Sequence, residues 1–96
     1  MNLHLNISTH KLNNLYKKIY NYTNDNWHNY AVLSLVDFLE FEEYRSEIRE
    51  IIEEHEILGY MNESSLKRRD EIKNICLNIF RLYYGNEAVK KIYSAF

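Results

Sequence analysis

Proline is absent from the 96-residue chain, and glycine occurs only twice, at Gly59 and Gly85. Without proline, no helix is interrupted by a fixed φ angle or by a missing backbone donor. Each glycine follows a segment in which apolar residues recur with helical period, and glycine enters the left-handed conformation without steric cost. We therefore predict that Gly59 and Gly85 are C′ residues that end two helices.

Cysteine is limited to Cys76, which excludes a disulfide within the chain. Cys76 lies in the apolar pattern of residues 72–80, where a thiol behaves as a small apolar side chain, so we predict that it is buried and unreactive. The chain also lacks a run of about 18 apolar residues and a basic-then-apolar N-terminal leader. We expect a cytoplasmic protein without a membrane-spanning segment.

Apolar side chains make up 46% of the chain and charged side chains 27%, which is typical of a globular domain. Apolar residues recur at helical spacing, and no alternation of period two persists over the length of a strand. The fold class that we predict is all-α. Residues 1–96 are expected to form a single compact bundle of four to five antiparallel helices with short loops.

The helix boundaries are predicted from caps and from the apolar period. The first helix begins after Ser8 or Thr9 and runs to about residue 22. The second follows the polar residues 23–26, and its inward side chains are expected to be Trp27, Tyr30, Ala31, Leu35 and Phe38. The apolar period then continues to Leu58, so the sequence permits one helix over 26–58. We favour a break near 38–42, because a straight rod of about 48 Å would exceed the size of such a domain.

Two further helices are predicted after Gly59. The first is capped by Ser64 or Ser65. Its buried side chains are expected to be Ile72, Ile75, Cys76, Ile79, Phe80 and Tyr83. Asn86 then caps a short last helix that docks on the bundle through Ala88, Val89, Ile92, Tyr93 and Phe96.

Charge is distributed unevenly, although the formal net charge is only −2. Residues 37–56 contain nine acidic residues and two arginines, a net charge of −7. If residues 40–54 are helical, five glutamates share one side within an arc of about 80°; they are Glu40, Glu43, Glu47, Glu50 and Glu54. We interpret this row as a surface for a cationic partner. The alternative is a solvated helix face, partly neutralised by Lys67, Arg68, Arg69 and Lys73 of the next helix.

Tyrosine is abundant, with nine residues in the chain. Tyr44 borders the acidic row and Tyr60 follows a predicted cap, so we predict that both anchor an interface. Other tyrosines keep helical period with apolar neighbours and are predicted to pack in the core: Tyr16, Tyr20, Tyr30, Tyr83 and Tyr93.

No pattern in the sequence is typical of catalysis or of metal binding. The four histidines are not spaced so that two lie one helical turn apart. There is no glycine-rich phosphate loop and no nucleophile beside a base, and acids on an exposed face lack the burial that raises a carboxyl pKa. We expect no metal, no cofactor and no enzymatic activity.

The acidic row leads to the functional hypothesis of a small inhibitor protein with a basic protein partner. In size and in its acidic face the chain resembles, in general style, bacterial toxin-immunity proteins and phage-encoded inhibitors, which implies a toxin or nuclease as partner. No residue is carried over from those proteins. The predicted partner-binding residues are Glu40, Glu43, Tyr44, Glu47, Glu50, Glu54 and Tyr60.

Two alternatives remain open at this point. Lys67, Arg68, Arg69 and Lys73 could contact phosphates, which would make the chain a nucleic-acid-binding regulator that uses helix 67–73. The segment 26–58 could instead mediate self-association. The sequence does not decide between a monomer and a dimer.

Overall fold

A computed structural model describes residues 9–20 and 26–93, and within these ranges every regular element is a helix. The helices are α1 (Thr9–Tyr20), α2 (Trp27–Leu39), α3 (Glu42–Leu58), α4 (Glu63–Tyr84) and α5 (Asn86–Tyr93). The predicted all-α fold is confirmed. Ser8, the turn predicted at 23–25 and Phe96 lie outside the described residues, as does the predicted end of the first helix at residue 22.

Helix α2 packs against α1, α3 and α4, and α4 in turn packs against α2, α3 and α5. The α2 side chains Val32, Leu35 and Val36 are fully buried, which is consistent with the high density of apolar residues in this helix. Trp27 was predicted to point inward and is 37% exposed, so that prediction is wrong. Trp27 is the first residue of α2, and its ring stacks on that of His28, with the centroids 5.1 Å apart.

The break between α2 and α3 is confirmed, and it excludes a single helix over 26–58. Glu40 adopts the left-handed conformation, with φ 60° and ψ 36°. Its N–H donates to the carbonyl of Asp37, and the N–H of Phe41 donates to the carbonyl of Val36. These bonds close the last turn of α2. The guanidinium of Arg45 reaches back to the carboxylate of Asp37 and links the two helices across the corner.

Both glycines end helices, as predicted, but they do so differently. Gly59 is left-handed (φ 80°, ψ 3°), and its N–H donates to the carbonyl of His55. Gly85 has φ 90° and ψ 170°, which leads the chain directly into α5. The N-cap of α4 is Asn62, whose Oδ1 accepts from the N–H of Ser65 at 2.9 Å. The prediction of Ser64 or Ser65 as N-cap is therefore corrected. Helix α4 begins at Glu63, before either serine, and the side-chain oxygen of Asn62 accepts from its first turn.

Among the described residues, the core contains sixteen buried apolar side chains, which come from all five helices. On α4 they include Ile72, Cys76 and Phe80, as predicted. Burial raises the pKa of the Cys76 thiol to about 11, so the thiolate is disfavoured at neutral pH. No helix within residues 9–20 and 26–93 combines the length and the apolar content that a bilayer crossing requires.

The core prediction is wrong for three of the five tyrosines. Tyr20, Tyr83 and Tyr93 are 51%, 50% and 61% exposed, whereas Tyr16 and Tyr30 are half-buried. Tyr83 is only about 20° from Ile72 around the helix axis, yet it is not covered. Periodicity fixes the side of a helix that faces the core, but not how far along its length a neighbouring helix extends.

Candidate functional site

The acidic row of α3 is shorter than the sequence predicts. Helix α3 begins at Glu42, so Glu40 lies outside it, in the left-handed cap of α2. A glutamate in that conformation does not continue the helical arc, and the five-residue row is corrected to four. Glu43, Glu47, Glu50 and Glu54 share one side of α3.

Glu47 is already paired within the molecule. Its carboxylate accepts from Nε of Arg68 at 2.8 Å and from Nη2 at 3.2 Å. These hydrogen bonds to Glu47 raise the pKa of the Arg68 guanidinium and join α3 to α4 in a bidentate geometry. For Glu47, the alternative of neutralisation by the next helix is therefore observed.

Glu54 supports the connection between α3 and α4. One oxygen accepts from the hydroxyl of Ser65 at 2.6 Å, and the other accepts from Nδ2 of Asn62. Since Asn62 is itself the N-cap of α4, Glu54 holds the capping residue in place. Glu54 therefore has a structural role that the sequence analysis did not anticipate.

Glu43 and Glu50 remain exposed, with neither an ion pair nor a hydrogen bond to any described residue. Glu53, which the sequence analysis did not select, is also exposed and lies on the adjoining flank, about 60° from Glu50. Arg49 is exposed as well, about 40° further round. The free carboxylates thus occupy one edge of the helix and have an arginine only at its far flank.

Two exposed apolar residues continue this side of α3 towards its C-terminus. Ile57 is 75% exposed and Leu58 is 47% exposed. Both line a shallow depression together with Glu50, Glu53 and Glu54. We call the set Glu43, Glu50, Glu53, Ile57 and Leu58 the α3 outer face.

The outward position of Ile57 could have been predicted from the sequence. Ile57 is nine residues after Ile48, or about 180° around the helix, so it lies opposite a core position. Ile48 is fully buried. Leu58 was expected to continue the inward stripe, and that prediction is wrong: α3 ends there, and Leu58 is not covered by any residue within 9–20 and 26–93.

The two predicted interface tyrosines differ in their surroundings. Tyr44 is half-buried, with its ring edge-on to Phe41 at 5.8 Å and the guanidinium of Arg68 at 5.7 Å from its centroid. Tyr60 is 60% exposed and lies two residues after Leu58. Tyr60 is therefore available to a partner beside the α3 outer face, while Tyr44 mainly packs within the molecule.

The basic run at 67–73 is largely occupied. Arg68 binds Glu47, and Lys73 lies 3.7 Å from Asp70. Arg69 is only 8% exposed, and its guanidinium donates to Asn29 and to Asp70. Of the four basic residues, only Lys67 is exposed. A continuous row of free cations for a phosphate backbone is therefore not present on this helix.

Nothing in the described part of the chain groups three potential metal ligands. The chain matches no protein-family model, no curated protein and no solved structure. The chemistry that this surface offers is that of unpaired carboxylates next to exposed apolar side chains, which suits binding to another macromolecule.

Proposed function

We propose that this chain is a small non-enzymatic inhibitor that binds a basic protein, such as a toxin or nuclease, through the α3 outer face. One observation carries the proposal. Glu43, Glu50 and Glu53 stay exposed and without a cation partner among the described residues, although Glu47 and Glu54 of the same helix are bound internally.

The electrostatics of α3 favour such a partner. Helix α3 contains seven glutamates and two arginines. One of these arginines, Arg45, already forms an ion pair with Asp37 of α2. Unpaired carboxylates have no internal bond to break when a cation approaches. Their summed field accelerates the encounter with a positive cleft. The same field repels the phosphate backbone of a nucleic acid.

The alternatives receive less support. A regulator that binds nucleic acid through 67–73 would need Arg68, Arg69 and Lys73, and each of them already has a partner within the molecule. Self-association through one long 26–58 helix would need a straight rod, and Glu40 interrupts it. Neither alternative is favoured by a specific feature of the fold.

The proposal is tested with a basic protein encoded beside this chain. The test variant is Glu43→Lys/Glu50→Lys, since replacing Glu47 would also break its bond to Arg68. The control is Glu63→Lys/Glu87→Lys, which changes the net charge equally; Glu63 and Glu87 lie in first helical turns, as Glu43 does. The control removes two glutamates from first helical turns together with the ion pair Glu87–Lys90, whereas the test variant removes one such glutamate, so the control is the harsher change for the helices.

We expect the test variant to associate about tenfold or more slowly at low ionic strength, and the control to change about twofold or less. Association rates are measured by stopped-flow fluorescence at low and high salt. Equal rates for the two variants would show that the α3 outer face does not guide the encounter.

A further inference from the structure

We infer that the partner element that occupies the α3 outer face is a basic amphipathic helix. An apolar side chain of this helix packs against Ile57 and Leu58, and its cations pair with Glu50 and Glu53. The inference rests on the proposed function and specifies what kind of partner that function requires.

The apolar end of the face consists of Ile57 and Leu58. Ile57 is 75% exposed and lies on the side of α3 opposite the buried Ile48, so it contributes nothing to the core. Leu58 is exposed beside it, and the two residues share one depression. Exposed apolar side chains that lose their contact with water when a partner binds usually form the centre of a protein interface.

Charge complementarity decides the chemistry of the occupant. The depression that contains Ile57 and Leu58 is bordered by Glu50, Glu53 and Glu54. Glu54 already accepts hydrogen bonds from Ser65 and Asn62, so Glu50 and Glu53 are the carboxylates that remain for a partner. Anionic lipid headgroups and nucleic-acid phosphates are repelled by this border, whereas lysine or arginine is attracted.

The spacing favours a helical occupant. Glu50 and Glu53 are three residues apart, and Ile57 lies two turns beyond Glu50, about 10 Å along the axis. A partner helix repeats its side chains at the same intervals, so cations one to two turns from a leucine or isoleucine match the carboxylates and the apolar end together. A flexible cationic segment would match the charges alone.

Synthetic peptides serve as probes because they separate the two contributions. The first peptide carries leucines and lysines at helical spacing, and the second is a polylysine of equal charge. Binding to the full chain is measured by fluorescence anisotropy at low and high salt. The test variants are Ile57→Ser and Glu50→Gln/Glu53→Gln. The control is Leu82→Ser, because Leu82 of α4 is 76% exposed, as Ile57 is.

We expect the leucine–lysine peptide to bind more tightly than polylysine, and Ile57→Ser to weaken its binding about tenfold while Leu82→Ser leaves it unchanged. The Glu50→Gln/Glu53→Gln variant should weaken both peptides, and most strongly at low salt. Circular dichroism checks that each variant remains helical.

Two results would overturn the inference. If polylysine binds as tightly as the amphipathic peptide and Ile57→Ser has no effect, the partner is recognised by charge alone, and the proposed function survives without its apolar anchor. If the wild-type chain sediments as a dimer that Ile57→Ser dissociates, the occupant is a second copy. An unchanged affinity of Glu50→Gln/Glu53→Gln would instead contradict the proposed function itself.

Discussion

The buried guanidinium of Arg69 provides a quantitative test of how the bundle is held together. Its Nη1 donates to Oδ1 of Asn29 at 3.3 Å, and Asn29 is 1% exposed. Nδ2 of Asn29 donates to Oδ1 of Asn26, and Nδ2 of Asn26 donates to the carbonyl of Ile52 at 3.3 Å. This chain of hydrogen bonds joins α4 to α2 and to α3.

The substitution Arg69→Met keeps most of the apolar stem and removes the donors. Oδ1 of Asn29 then stays buried without its partner from α4, which costs about 1–3 kcal/mol. The bonds to Asp70 add little, because the carboxylate side chain is 43% exposed and can be hydrated. We expect the free energy of unfolding to fall by about 2 kcal/mol and the Tm to fall by roughly 8–16 °C.

Urea unfolding followed by circular dichroism measures this loss. The matched control is Arg81→Met on the same helix, because Arg81 is exposed and, within the described residues, its guanidinium donates to Asn78 alone. The control is expected to change stability by less than about 0.5 kcal/mol. Asn29→Ala combined with Arg69→Met should cost less than the sum of the two single changes, since both remove one shared contact.

Replacing a buried charge by an apolar residue stabilises some proteins, so the measurement discriminates between two opposite results. If Arg69→Met is as stable as Arg81→Met, the network does not hold the three helices together and the reasoning is refuted.

Three further predictions concern single residues. Glu40→Gly should stabilise the chain by about 0.5–1 kcal/mol in thermal unfolding, because glycine tolerates the left-handed conformation of Glu40; a loss of stability would contradict this. Burial, with the positive charges of Arg69 and Lys73, lowers the pKa of His28 from 6.5 to about 4, so the unfolded chain binds a proton first as the pH falls. Stability should therefore decrease by roughly 1 kcal/mol between pH 7 and pH 5, allowing for partial exposure, and His28→Gln should flatten that slope. Cys76, fully buried, should react with a thiol reagent only as fast as the chain unfolds; rapid labelling in native buffer would refute its burial.

Much of the fold could be predicted because its signals are local. The helix ends at Gly59 and Gly85 follow from the conformational freedom of glycine. The break near residue 40 was predicted from the size of the domain, but its structural cause is the left-handed conformation of Glu40. The burial of Ile72, Cys76 and Phe80 follows from their spacing of four residues. Arg69 could not be predicted to be buried, because its partner Asn29 is forty residues away in sequence.

The candidate site could be predicted only in part. The side of α3 that carries the glutamates follows from periodicity alone. Which glutamates remain free depends on α4, whose Arg68 and Ser65 occupy Glu47 and Glu54. Ile57 was detectable in the sequence as an apolar residue opposite the core. Only the structure shows that no described helix covers it.

The sequence by itself determined that this chain is helical, where most helices end, and that one segment concentrates negative charge. These properties depend on residues within a few positions of each other, through backbone sterics and side-chain spacing. The tertiary structure decided which glutamates of α3 are free, because the bonds from Arg68 and Ser65 require α4 to be brought against α3. It thereby separated the glutamates that stabilise the fold from those that face solvent beside Ile57 and Leu58.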